Sequence, residues 1–541
     1  MNTLLSVYGR APEPHQDERP TEFAERIGRW YASMASTEHK KRFGQYFTTI
    51  RVADFMASLC QTQNETIRIL DPGAGAGVLA CAVSERLASV GKKPHKLTIV
   101  AYEADPNLSA ILGKSLSFLQ YQLKKQGVDV IFTIKHDDFI MKNAEALDES
   151  LKLFPAQIEE FDVVISNPPY FKVPKADPRA QAADAVVHGQ PNIYALFMAV
   201  AAYMLAPGGD FIFITPRSFA SGPYFRLFRE RFFAKMKPEY IHTFISRTET
   251  FDRDNVLQEN IIMKARRLDG WLPKWKDADI LISSSNGTGD LSMIKPRKVS
   301  LESTFDIASA DKVLRIPASE EEEEIVRFIH AWPGSLKSYG LEISTGPVVP
   351  FRAVPLLSKT GNVPETHAPL LWMQHVRAMK IEWPISLFRK KQYIKVSNEA
   401  IPLLVADKNY VLLRRFSAKE QRRRLTAAPL MAGCLGSPVI GLENHLNYVY
   451  RPGGVLTEDE AWGLAALYNS SFFDIYFRVL NGNTQVSATE VRAMPLPPLN
   501  IIVEIGRCAR ASSNPSEQVE SLVMPAFDGM LHNSETVAVY E

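Results

Sequence analysis

Hydrophobic residues in the first half of the chain occur in short continuous runs that alternate with longer segments of helical pattern. Runs of this kind are typical of strands buried on both faces of a parallel sheet. The predicted strands are residues 67–71, 97–103, 129–134, 161–166, 210–215, 240–246 and 259–266. Because helical segments separate them, the pattern predicts a doubly wound, mostly parallel seven-stranded α/β sheet.

Two further segments have clear helical patterns. The apolar stretch 193–205 is too short to span a bilayer, so we interpret it as a buried helix that leads into the strand at 210–215. Ser319 precedes five glutamates, 320–324, and then an apolar pattern. A serine cap and acidic residues at the positive end of the helix dipole both favour a helix that begins here.

A length of 541 residues predicts two or more domains. Changes of pattern divide the chain into a polar N-terminal lead-in (1–39), an α/β domain (40–266), a connector (267–318), an α+β domain (319–498) and a C-terminal tail (499–541). We expect the connector, which is rich in Ser, Asn, Gly and Pro, to leave the α/β core. We also expect Ser487 or Thr489 to cap a helix, and the tail to contain one helix over 517–531.

The composition is ordinary for a globular protein, with 46% hydrophobic residues. The four cysteines, Cys60, Cys81, Cys434 and Cys508, have neither the spacing of metal ligands nor that of a disulfide framework, which suits a reducing cytosol. The polar N-terminus has no signal-peptide pattern. These features predict a cytoplasmic protein with no metal site and no membrane partner.

Positive charge is concentrated in one part of the second half. The formal net charge of the chain is only +2, which excludes a uniformly basic nucleic-acid-binding protein. Residues 371–430 nevertheless contain thirteen Lys or Arg and four Asp or Glu, with aromatic residues interleaved. The clusters 389–391, 414–415 and 422–424 are suited to contacts with phosphates, although a solvated surface would have the same pattern.

A glycine-rich turn follows the first predicted strand. Asp71 ends the strand, and Gly73, Gly75 and Gly77 precede an apolar helical pattern. Glycines allow the backbone to approach a ligand closely and to turn into a helix. The spacing differs from that of the GxGxxG motif and of the Walker loop. It still predicts a ligand site, because open α/β sheets bind ligands at the carboxyl ends of their strands.

Acidic residues end the next two predicted strands. Glu103 ends the second, where a carboxylate is suited to accepting hydrogen bonds from both hydroxyls of a ribose. Asp138 and Phe139 follow the third. An acid there can accept a hydrogen bond from an adenine amine while the aromatic ring packs on the base. Each feature alone is common in proteins of this fold, but their order and spacing together predict one ligand site.

The most informative motif is Asn167-Pro168-Pro169-Tyr170, directly after the fourth predicted strand. The Asn167 side-chain oxygen can accept one N–H of a planar amino group, and the rigid carbonyl of a proline can accept the other. The Tyr170 ring can stack on the flat ring that carries the amine. The simpler alternative is a strand that ends at two prolines.

In order and spacing, these motifs resemble the γ-class adenine-N6 DNA methyltransferases of type II restriction–modification systems. The resemblance is close over 40–265 and looser over 335–498. It identifies 40–49 as the N-terminal element of the family, with Thr48 or Thr49 near the methionine part of S-adenosylmethionine, and Phe251 as the aromatic residue of a later motif. An ordinary helix cap at Thr48 and a core position for Phe251 remain the simpler interpretations.

The resemblance implies a class I S-adenosylmethionine-dependent methyltransferase domain followed by a DNA target-recognition domain. The implied cofactor-binding residues are Thr48, Asp71, Gly73, Gly75, Glu103, Asp138 and Phe139, and the implied catalytic residues are Asn167, Pro168, Pro169, Tyr170 and Phe251. The implied reaction is methyl transfer from S-adenosylmethionine to adenine N6 in double-stranded DNA, after the base has been flipped out of the duplex. A cognate restriction endonuclease would be a separate chain in the same bacterial or archaeal cytosol.

The chemistry of the target explains why these residue types are expected. The N6 lone pair of adenine is conjugated with the ring, so the nitrogen is a poor nucleophile until hydrogen bonds draw it toward tetrahedral geometry. Since the methyl group is already activated, positioning matters more than a strong base. Tyr170 and Phe251 would stack on the two faces of the base, each contributing about 1–3 kcal/mol.

Three alternatives remain open at this point. Protein-glutamine and RNA N-methyltransferases use similar motifs, but they usually lack both the N-terminal element and a long downstream domain. N4-cytosine DNA methyltransferases more often have Ser in place of Asn167. A fused nuclease–methyltransferase or a DNA-binding specificity protein would be a different class. Only residues 1–39 precede the first motif, whereas a nuclease domain needs on the order of 100 residues or more.

Overall fold

The computed structural model describes residues 11–44, 47–148, 159–187, 189–244, 260–305, 312–417, 421–481 and 485–527. The chain divides into two compact units, Met1–Ala318 and Ser319–Glu541. No helix among the described residues is both long and apolar enough to cross a membrane.

The first unit alternates helices and strands along the chain. Its helices are α1 (Pro20–Met34), α2 (Thr37–Phe43), α3 (Ile50–Ser58), α4 (Val78–Ser89), α5 (Pro106–Lys125), α6 (Phe139–Asn143), α7 (Pro178–Ala182), α8 (Ile193–Tyr203), α9 (Arg226–Lys235) and α10 (Leu301–Thr304). Its strands are β1 (Thr66–Asp71), β2 (Lys96–Tyr102), β3 (Asp129–Lys135), β4 (Phe161–Ser166), β5 (Leu205–Pro216), β6 (Met236–Phe244), β7 (Asn260–Arg267), β8 (Asp279–Ser285) and β9 (Arg297–Ser300).

These strands form one sheet in the order β3-β2-β1-β4-β5-β7-β6-β8-β9. Strands β1 to β5 are mutually parallel, β7 runs antiparallel to both β5 and β6, and β9 runs antiparallel to β8. The prediction of a doubly wound, mostly parallel sheet is confirmed. Because β1 to β4 are adjacent and parallel, their carboxyl ends lie at one edge of the sheet, where the predicted motifs follow them.

The prediction that residues 267–318 form a connector that leaves the α/β core is wrong. Strands β8 and β9 come from this segment, and they extend the sheet beyond the seven predicted strands. β8 pairs with β6 in parallel, from Tyr240↔Leu281 to Phe244↔Ser285. The turn-forming composition of this segment concealed both strands, of which β9 is the edge strand and has only four residues.

Hydrophobic side chains fill both faces of the sheet. On one face, α4 and α5 cover β1 to β3, and Val83 and Leu116 of the helices belong to the same hydrophobic cluster as Ile99 of β2. On the other face lies α8, every residue of which is buried, as the apolar stretch predicted. Two-sided burial accounts for the continuous apolar runs in the strands.

The second unit contains helices and short strands. Its helices are α11 (Glu320–His330), α12 (Glu458–Asn469), α13 (Ser471–Leu480), α14 (Ala488–Ala493), α15 (Leu499–Ala511) and α16 (Val519–Val523). Its strands are β10 (Glu342–Thr345), β11 (Leu357–Ser358), β12 (His367–Leu371), β13 (Val376–Arg377), β14 (Lys380–Ile381), β15 (Tyr393–Lys395), β16 (Leu404–Ala406), β17 (Tyr410–Arg414), β18 (Ala427–Leu430), β19 (Val439–Leu442) and β20 (Leu446–Tyr450). They form sheets ordered β10-β20-β17-β18, β11-β15-β12-β19-β16 and β13-β14.

Two helix caps in this unit are confirmed. The Ser319 hydroxyl accepts a hydrogen bond from the Glu322 amide at 3.2 Å, and α11 begins at the next residue. Ser487 and Glu490 form a reciprocal capping box at the start of α14. In both places a serine satisfies backbone amides that the helix itself leaves without partners.

The prediction for the tail is partly wrong. It missed the 13-residue helix α15. The predicted helix 517–531 is limited, among the described residues, to α16 and a 3-10 turn over Met524–Phe527. The signal in α15 is its amphipathic pattern, in which Ile502, Ile505 and Ala509 share a buried face.

Candidate active site

A cavity of about 240 Å³ lies at the carboxyl ends of β1 to β4. Of the predicted site residues, those that line it are Gly73, Gly75, Glu103, Asp138, Phe139, Asn167 and Pro169. The fold thus brings the glycine turn, both acidic strand ends and the Asn-Pro-Pro-Tyr motif to a single cleft. The chain between these motifs forms the helices that return each strand to the same edge.

The glycine turn joins β1 to α4. Gly75 and Gly77 have positive φ angles of 56° and 88°, which L side chains rarely adopt. A Cβ at Gly75 would have no heavy atom within 4 Å, so this part of the turn faces open space. A Cβ at Gly77 would instead lie 2.8 Å from Leu112 of α5. Gly77 therefore serves the packing of α4 on α5, whereas Gly75 leaves room for a ligand.

The Glu103 carboxylate is held by two backbone amides. Its Oε2 accepts a hydrogen bond from the Gly75 amide at 3.0 Å, and its Oε1 accepts one from the Asp105 amide at 2.8 Å. Burial raises the pKa of Glu103 to about 7, and the nearby Asp105 carboxylate adds to the rise while the backbone amides oppose it. Its remaining lone pairs are at the cleft, as a ribose-binding acid requires.

Asp71 lies outside the cleft. Its side chain is fully buried at the end of β1, and it is not among the residues that line the cavity. Burial raises the pKa of Asp71 to about 8, so the carboxyl group is neutral through most of the physiological range. Asp71 lies beneath the glycine turn, where the Gly73 backbone amide opposes the rise of its pKa, and its contact with the cofactor stays a prediction.

Asn167 is hydrogen-bonded on both sides of its amide. Its Nδ2 donates to Oγ1 of Thr48 at 3.1 Å, and its Oδ1 accepts from the Tyr170 hydroxyl at 2.5 Å. The same hydroxyl is 2.9 Å from the Ile214 carbonyl oxygen, so one hydrogen is shared between two acceptors. These contacts fix the plane of the Asn167 amide at the cleft.

The Tyr170 ring lies mostly in the hydrophobic core. It packs edge-on against Tyr194, with ring centroids 6.2 Å apart, and it does not line the cavity. The stacking of this ring on a base stays a prediction. The aromatic residue of this segment that does line the cavity is Phe171.

Asp138 and Phe139 occupy the start of α6. The Asp138 Oδ1 accepts hydrogen bonds from the amides of Ile140 and Met141, both at 3.0 Å, so one oxygen caps the helix. Phe139 packs against Tyr102 and Phe197, which also line the cavity. The sequence singled out one aromatic ring here, Phe139, whereas three aromatic side chains line this part of the cavity.

Several residues at the cleft were not predicted individually. They are Phe43, Gly44, Phe47, Tyr102, Asp137, Phe171, Arg179, Ile193 and Phe197. Phe43, Gly44 and Phe47 belong to the N-terminal element, from which the sequence singled out Thr48 or Thr49. Arg179 is ion-paired with Asp177, at 2.7 Å, and lies 3.9 Å from Asp138. No sequence signal distinguished Arg179, because its distance from Asp138 depends on the loop after β4. Phe251 lies outside the described residues.

A larger cavity, of about 1410 Å³, lies along α1 and α5. Its lining includes Trp30, Ile111 and Phe118 together with the segment 11–16. Neither the glycine turn nor Asn167 reaches it, so the motifs single out the smaller cleft despite the difference in volume.

Known proteins resemble the chain over most of its length. Residues 98–251 match the family described as Eco57I restriction-modification methylase. The chain is 32% identical over 474 residues to the type II methyltransferase M.BsuBI of Bacillus subtilis, covering 87% of this chain and 90% of that protein. It is 31% identical over 460 residues to the type II methyltransferase M.PstI of Providencia stuartii, covering 85% and 87% of the two chains. This chain belongs to the type II DNA methyltransferases of restriction–modification systems.

Solved structures resemble this methyltransferase more distantly. A DrdV–DNA complex has a TM-score of 0.48 at 13% identity, over 92% of this chain and 60% of that one. The type IIG restriction endonuclease BpuSI has a TM-score of 0.43 at 16% identity, over 96% and 69%. At this distance the likeness adds nothing about the substrate.

The cofactor of a type II methyltransferase is S-adenosylmethionine, and the cleft fits it. The cofactor carries a sulfonium and an amino group, both positive, and the cleft is lined by the carboxylates of Glu103, Asp137 and Asp138. Phe139 and Phe197 offer aromatic faces for adenine, and the turn at Gly75 faces open space. The donors and acceptors of the cleft thus match a nucleoside with a cationic chain.

The basic clusters of the second unit differ in what surrounds them. Arg424 is fully buried, with its Nε donating to the Ser417 hydroxyl at 2.9 Å. Arg423 is ion-paired with Glu520 at 2.6 Å, and the Arg414 Nε donates to the Val376 carbonyl. The prediction that 422–424 contact phosphates is therefore wrong for the buried Arg424, whereas for Arg422 and the partly exposed Arg423 it stays a prediction.

Proposed function

We propose that this type II methyltransferase transfers a methyl group to N6 of adenine in double-stranded DNA. The observation that carries the proposal is the position of Asn167, which lies at the carboxyl end of β4 and lines the same cleft as Gly73 and Glu103. An amine acceptor and a nucleoside-binding carboxylate in one cleft are what methylation of an exocyclic amine requires.

The chain's own residues provide hydrogen-bond acceptors rather than a nucleophile. The Asn167 side-chain oxygen has two lone pairs, so it can accept an amine N–H while it also accepts from Tyr170. The Pro168 carbonyl is the proposed acceptor for the second N–H. S-adenosylmethionine, when bound, supplies a methyl group activated by its sulfonium. The described residues that line the cleft include no cysteine, the nucleophile that carbon-5 cytosine methylation would need.

Membership of the family favours DNA over the protein-glutamine and RNA substrates that the motifs alone left open. N4-cytosine methylation remains the rival, since cytosine N4 is also an exocyclic amine. The Asn at position 167, where that class more often has Ser, favours adenine. Double-stranded DNA as substrate requires base flipping, because the amine is otherwise paired inside the duplex.

The experiment is an analysis of the product. Unmethylated plasmid DNA would be incubated with the protein and labelled cofactor, digested to nucleosides and examined by mass spectrometry. We expect N6-methyladenine; N4-methylcytosine would overturn the proposal. Asn167→Ala should bind the cofactor normally and transfer no methyl group, while His95→Ala, an exposed histidine on the same unit, serves as the matched control. Single-molecule sequencing of the product would give the recognition sequence.

We further propose that the second unit contacts DNA through two neighbouring loops, 349–356 and 384–391. The Lys391 ammonium donates to the Val354 carbonyl at 3.4 Å, and the Trp372 indole donates to the Lys391 carbonyl at 2.7 Å. Leu356 and Phe388, one from each loop, pack on the same hydrophobic cluster. The two loops therefore form one surface, which we call the loop surface.

The charges of the loop surface support this proposal. The segments 346–361 and 384–398 contain six cations and no carboxylate: Arg352, Lys359, Arg389, Lys390, Lys391 and Lys395. None of the six forms an ion pair with any residue that the structure describes, whereas the nearby Arg377 and Lys380 pair with Glu382. Unpaired cations at a surface are suited to phosphates.

Exposed apolar side chains lie among these cations. Leu387 is 102% exposed and Phe351 is 75% exposed, each at the tip of its loop. Leu387 also has a φ of 58°, a costly conformation for a leucine. Proteins that distort DNA insert such side chains between base steps. We propose that the cations bind the backbone while Leu387 and Phe351 contact bases.

A binding series separates the two roles. Replacing Arg389 and Lys390 together by alanine should weaken binding to a labelled random-sequence duplex and lower the salt slope by about 1 to 2. Arg507→Ala, which removes an exposed cation on α15, should change neither. Leu387→Ala and Phe351→Ala should leave the salt slope unchanged and reduce methylation of unmethylated plasmid DNA, with Val455→Ala as the control for an exposed apolar residue. An unchanged slope in the double variant would place the DNA contacts elsewhere.

We also propose that a restriction endonuclease with the same recognition sequence is encoded as a separate chain. The similarity to M.BsuBI and M.PstI, both type II methyltransferases, over 87% and 85% of the chain supports this pairing. Because chromosomal DNA is the proposed substrate, the proposed site of action is the bacterial or archaeal cytosol. Cleavage of host DNA after deletion of this gene would identify the endonuclease.

A further inference from the structure

Asp105 is a buried carboxylate two residues after the cofactor-site acid. It caps α5, since its Oδ1 accepts a hydrogen bond from the Asn107 amide at 3.1 Å. Its own amide donates to the Glu103 carboxylate at 2.8 Å. The Asp105 side chain has only 1% of its surface exposed. A buried negative charge this close to Glu103 has to be compensated, or it disfavours ionisation of Glu103.

Two residues from the N-terminal helices approach the other oxygen of Asp105. The His39 Nε2 of α2 lies 2.7 Å from Oδ2, and the Tyr31 hydroxyl of α1 donates to the same oxygen. Tyr31 and His39 are also 3.0 Å apart, between the hydroxyl and Nε2. The His39 side chain is partly exposed. These three side chains, which we call the Asp105 cluster, lie outside the cofactor cleft.

The cluster is connected to the cleft by two routes. One is electrostatic, through the Asp105 amide and charge to Glu103. The other is along α2, because the His39 ring lies 4.9 Å from the ring of Phe43, which lines the cleft. After Phe43 comes Gly44, with φ at 61°, where a Cβ would lie 2.7 Å from Pro169. The end of α2 therefore packs on the catalytic motif.

We propose that Tyr31 and His39 are positioning residues of the cofactor site. By donating hydrogen bonds to Asp105, and with a positive charge when His39 is protonated, they compensate its charge. Glu103 can then stay ionised and accept the ribose hydroxyls. This inference rests on the assignment of the cleft to S-adenosylmethionine and not on which base is methylated.

The charged and titratable groups around the cluster define what a pH experiment would measure. His39 faces Tyr31 of α1 and Asp105 of α5. Glu103 faces Asp105 and, beneath the glycine turn, Asp71. The remaining charged groups of the cleft are Asp137, Asp138 and Arg179, and the same groups are present in every variant tested. A change that depends on His39 can therefore be assigned to the cluster.

The test is calorimetric titration of the full chain with S-adenosylmethionine across pH. Wild-type affinity should fall as pH falls, because Glu103 takes up a proton; Glu103→Gln should bind weakly with little dependence on pH. His39→Ala should move the midpoint to higher pH. A midpoint shift of about one unit weakens binding about fivefold near pH 7 and leaves it unchanged well above the midpoint. Tyr31→Phe should give a smaller shift in the same direction.

Three further measurements make the result decisive. His39→Gln keeps a hydrogen-bond donor but no charge, so it should shift the midpoint less than His39→Ala; His95→Ala should not shift it. At saturating cofactor and high pH, the kcat of His39→Ala should equal that of the wild type. A loss of affinity that is uniform across pH, or no loss, would overturn the proposal. Failure of the wild type to bind S-adenosylmethionine would instead refute the assignment of the cleft.

Discussion

Thr48 and Asn167 are joined by a hydrogen bond of 3.1 Å, in which the Asn167 Nδ2 donates to the Thr48 hydroxyl. Thr48 precedes α3, and Asn167 follows β4, so residues 119 positions apart meet at the cleft. With its amide nitrogen engaged by Thr48, Asn167 turns its oxygen toward the Tyr170 hydroxyl. The N-terminal element therefore orients the proposed amine acceptor, a role that differs from the cofactor contact predicted for Thr48.

Thr48→Val should separate these two roles. Valine keeps the shape of the side chain but removes the acceptor, so the Asn167 amide loses one of its fixed partners. We expect kcat to fall about fivefold, the effect of one hydrogen bond of about 1 kcal/mol, with the affinity for S-adenosylmethionine unchanged. Single-turnover kinetics and calorimetry measure the two quantities. Thr48→Ser keeps the hydroxyl and serves as the control; a loss of cofactor affinity in Thr48→Val alone would support the predicted cofactor contact instead.

Gly73→Ala should weaken cofactor binding without weakening the fold. A Cβ at Gly73 would have its nearest neighbours at 3.7 Å or more, which is ordinary contact, yet the residue lines the cleft. We expect at least a tenfold loss of affinity with an unchanged unfolding temperature. Gly77→Ala provides the contrast, because φ is 88° and the Cβ would lie 2.8 Å from Leu112. That variant should unfold at a lower temperature. Calorimetric titration and thermal unfolding of both variants would test the pair.

Asp71→Asn should make the protein more stable at alkaline pH. Burial raises the pKa of Asp71 from 3.8 to about 8, so the folded state keeps a proton that the unfolded state releases. The stability contribution of this carboxyl is thus fully present below pH 3.8 and is lost as pH rises to about 8. Asparagine has no proton to lose. The free energy of unfolding should rise by about 2 kcal/mol or more at pH 8 and change little at pH 4. Urea unfolding at both pH values is the measurement, and equal changes at both would contradict the shifted pKa.

The sequence predicted the sheet and the position of the cleft because both depend on local patterns. Buried parallel strands have continuous apolar runs, and ligand-binding residues follow strands such as β1 and β4 directly. Strands β8 and β9 were missed because they lie in a segment of turn-forming composition, and the edge strand β9 has only four residues. The error at Arg424 has a different cause. A run of three arginines has the same sequence whether all three side chains face solvent or one guanidinium is buried, as that of Arg424 is.

Within the site, the same limit applies to residues whose role depends on distant contacts. Glu103 could be predicted because it ends a strand. Nothing in the local sequence indicated that Tyr31 and His39 would meet at Asp105, or that the Tyr170 ring would pack against Tyr194. These contacts arise from the packing of helices that are far apart in the chain, which a single sequence does not encode in its periodicity.

Gly463 and Gly506 provide a test of the second unit alone. They lie where α12 and α15 cross: a Cβ at Gly463 would be 1.9 Å from the Ile502 carbonyl oxygen, and one at Gly506 would be 1.8 Å from that of Asp459. Backbone cannot yield as a flexible side chain can, so either alanine must force the helices apart. We expect each substitution to cost about 3 kcal/mol in the stability of the second unit. Gly454→Ala, where the nearest atoms belong to the Arg451 side chain, should cost much less.

Because Gly463 and Gly506 belong to the second unit and the cofactor cleft to the first, S-adenosylmethionine should still bind to the variants at temperatures where DNA binding is lost. Differential scanning calorimetry with and without cofactor would measure both transitions, and a simultaneous loss of cofactor and DNA binding would mean that the two units unfold together.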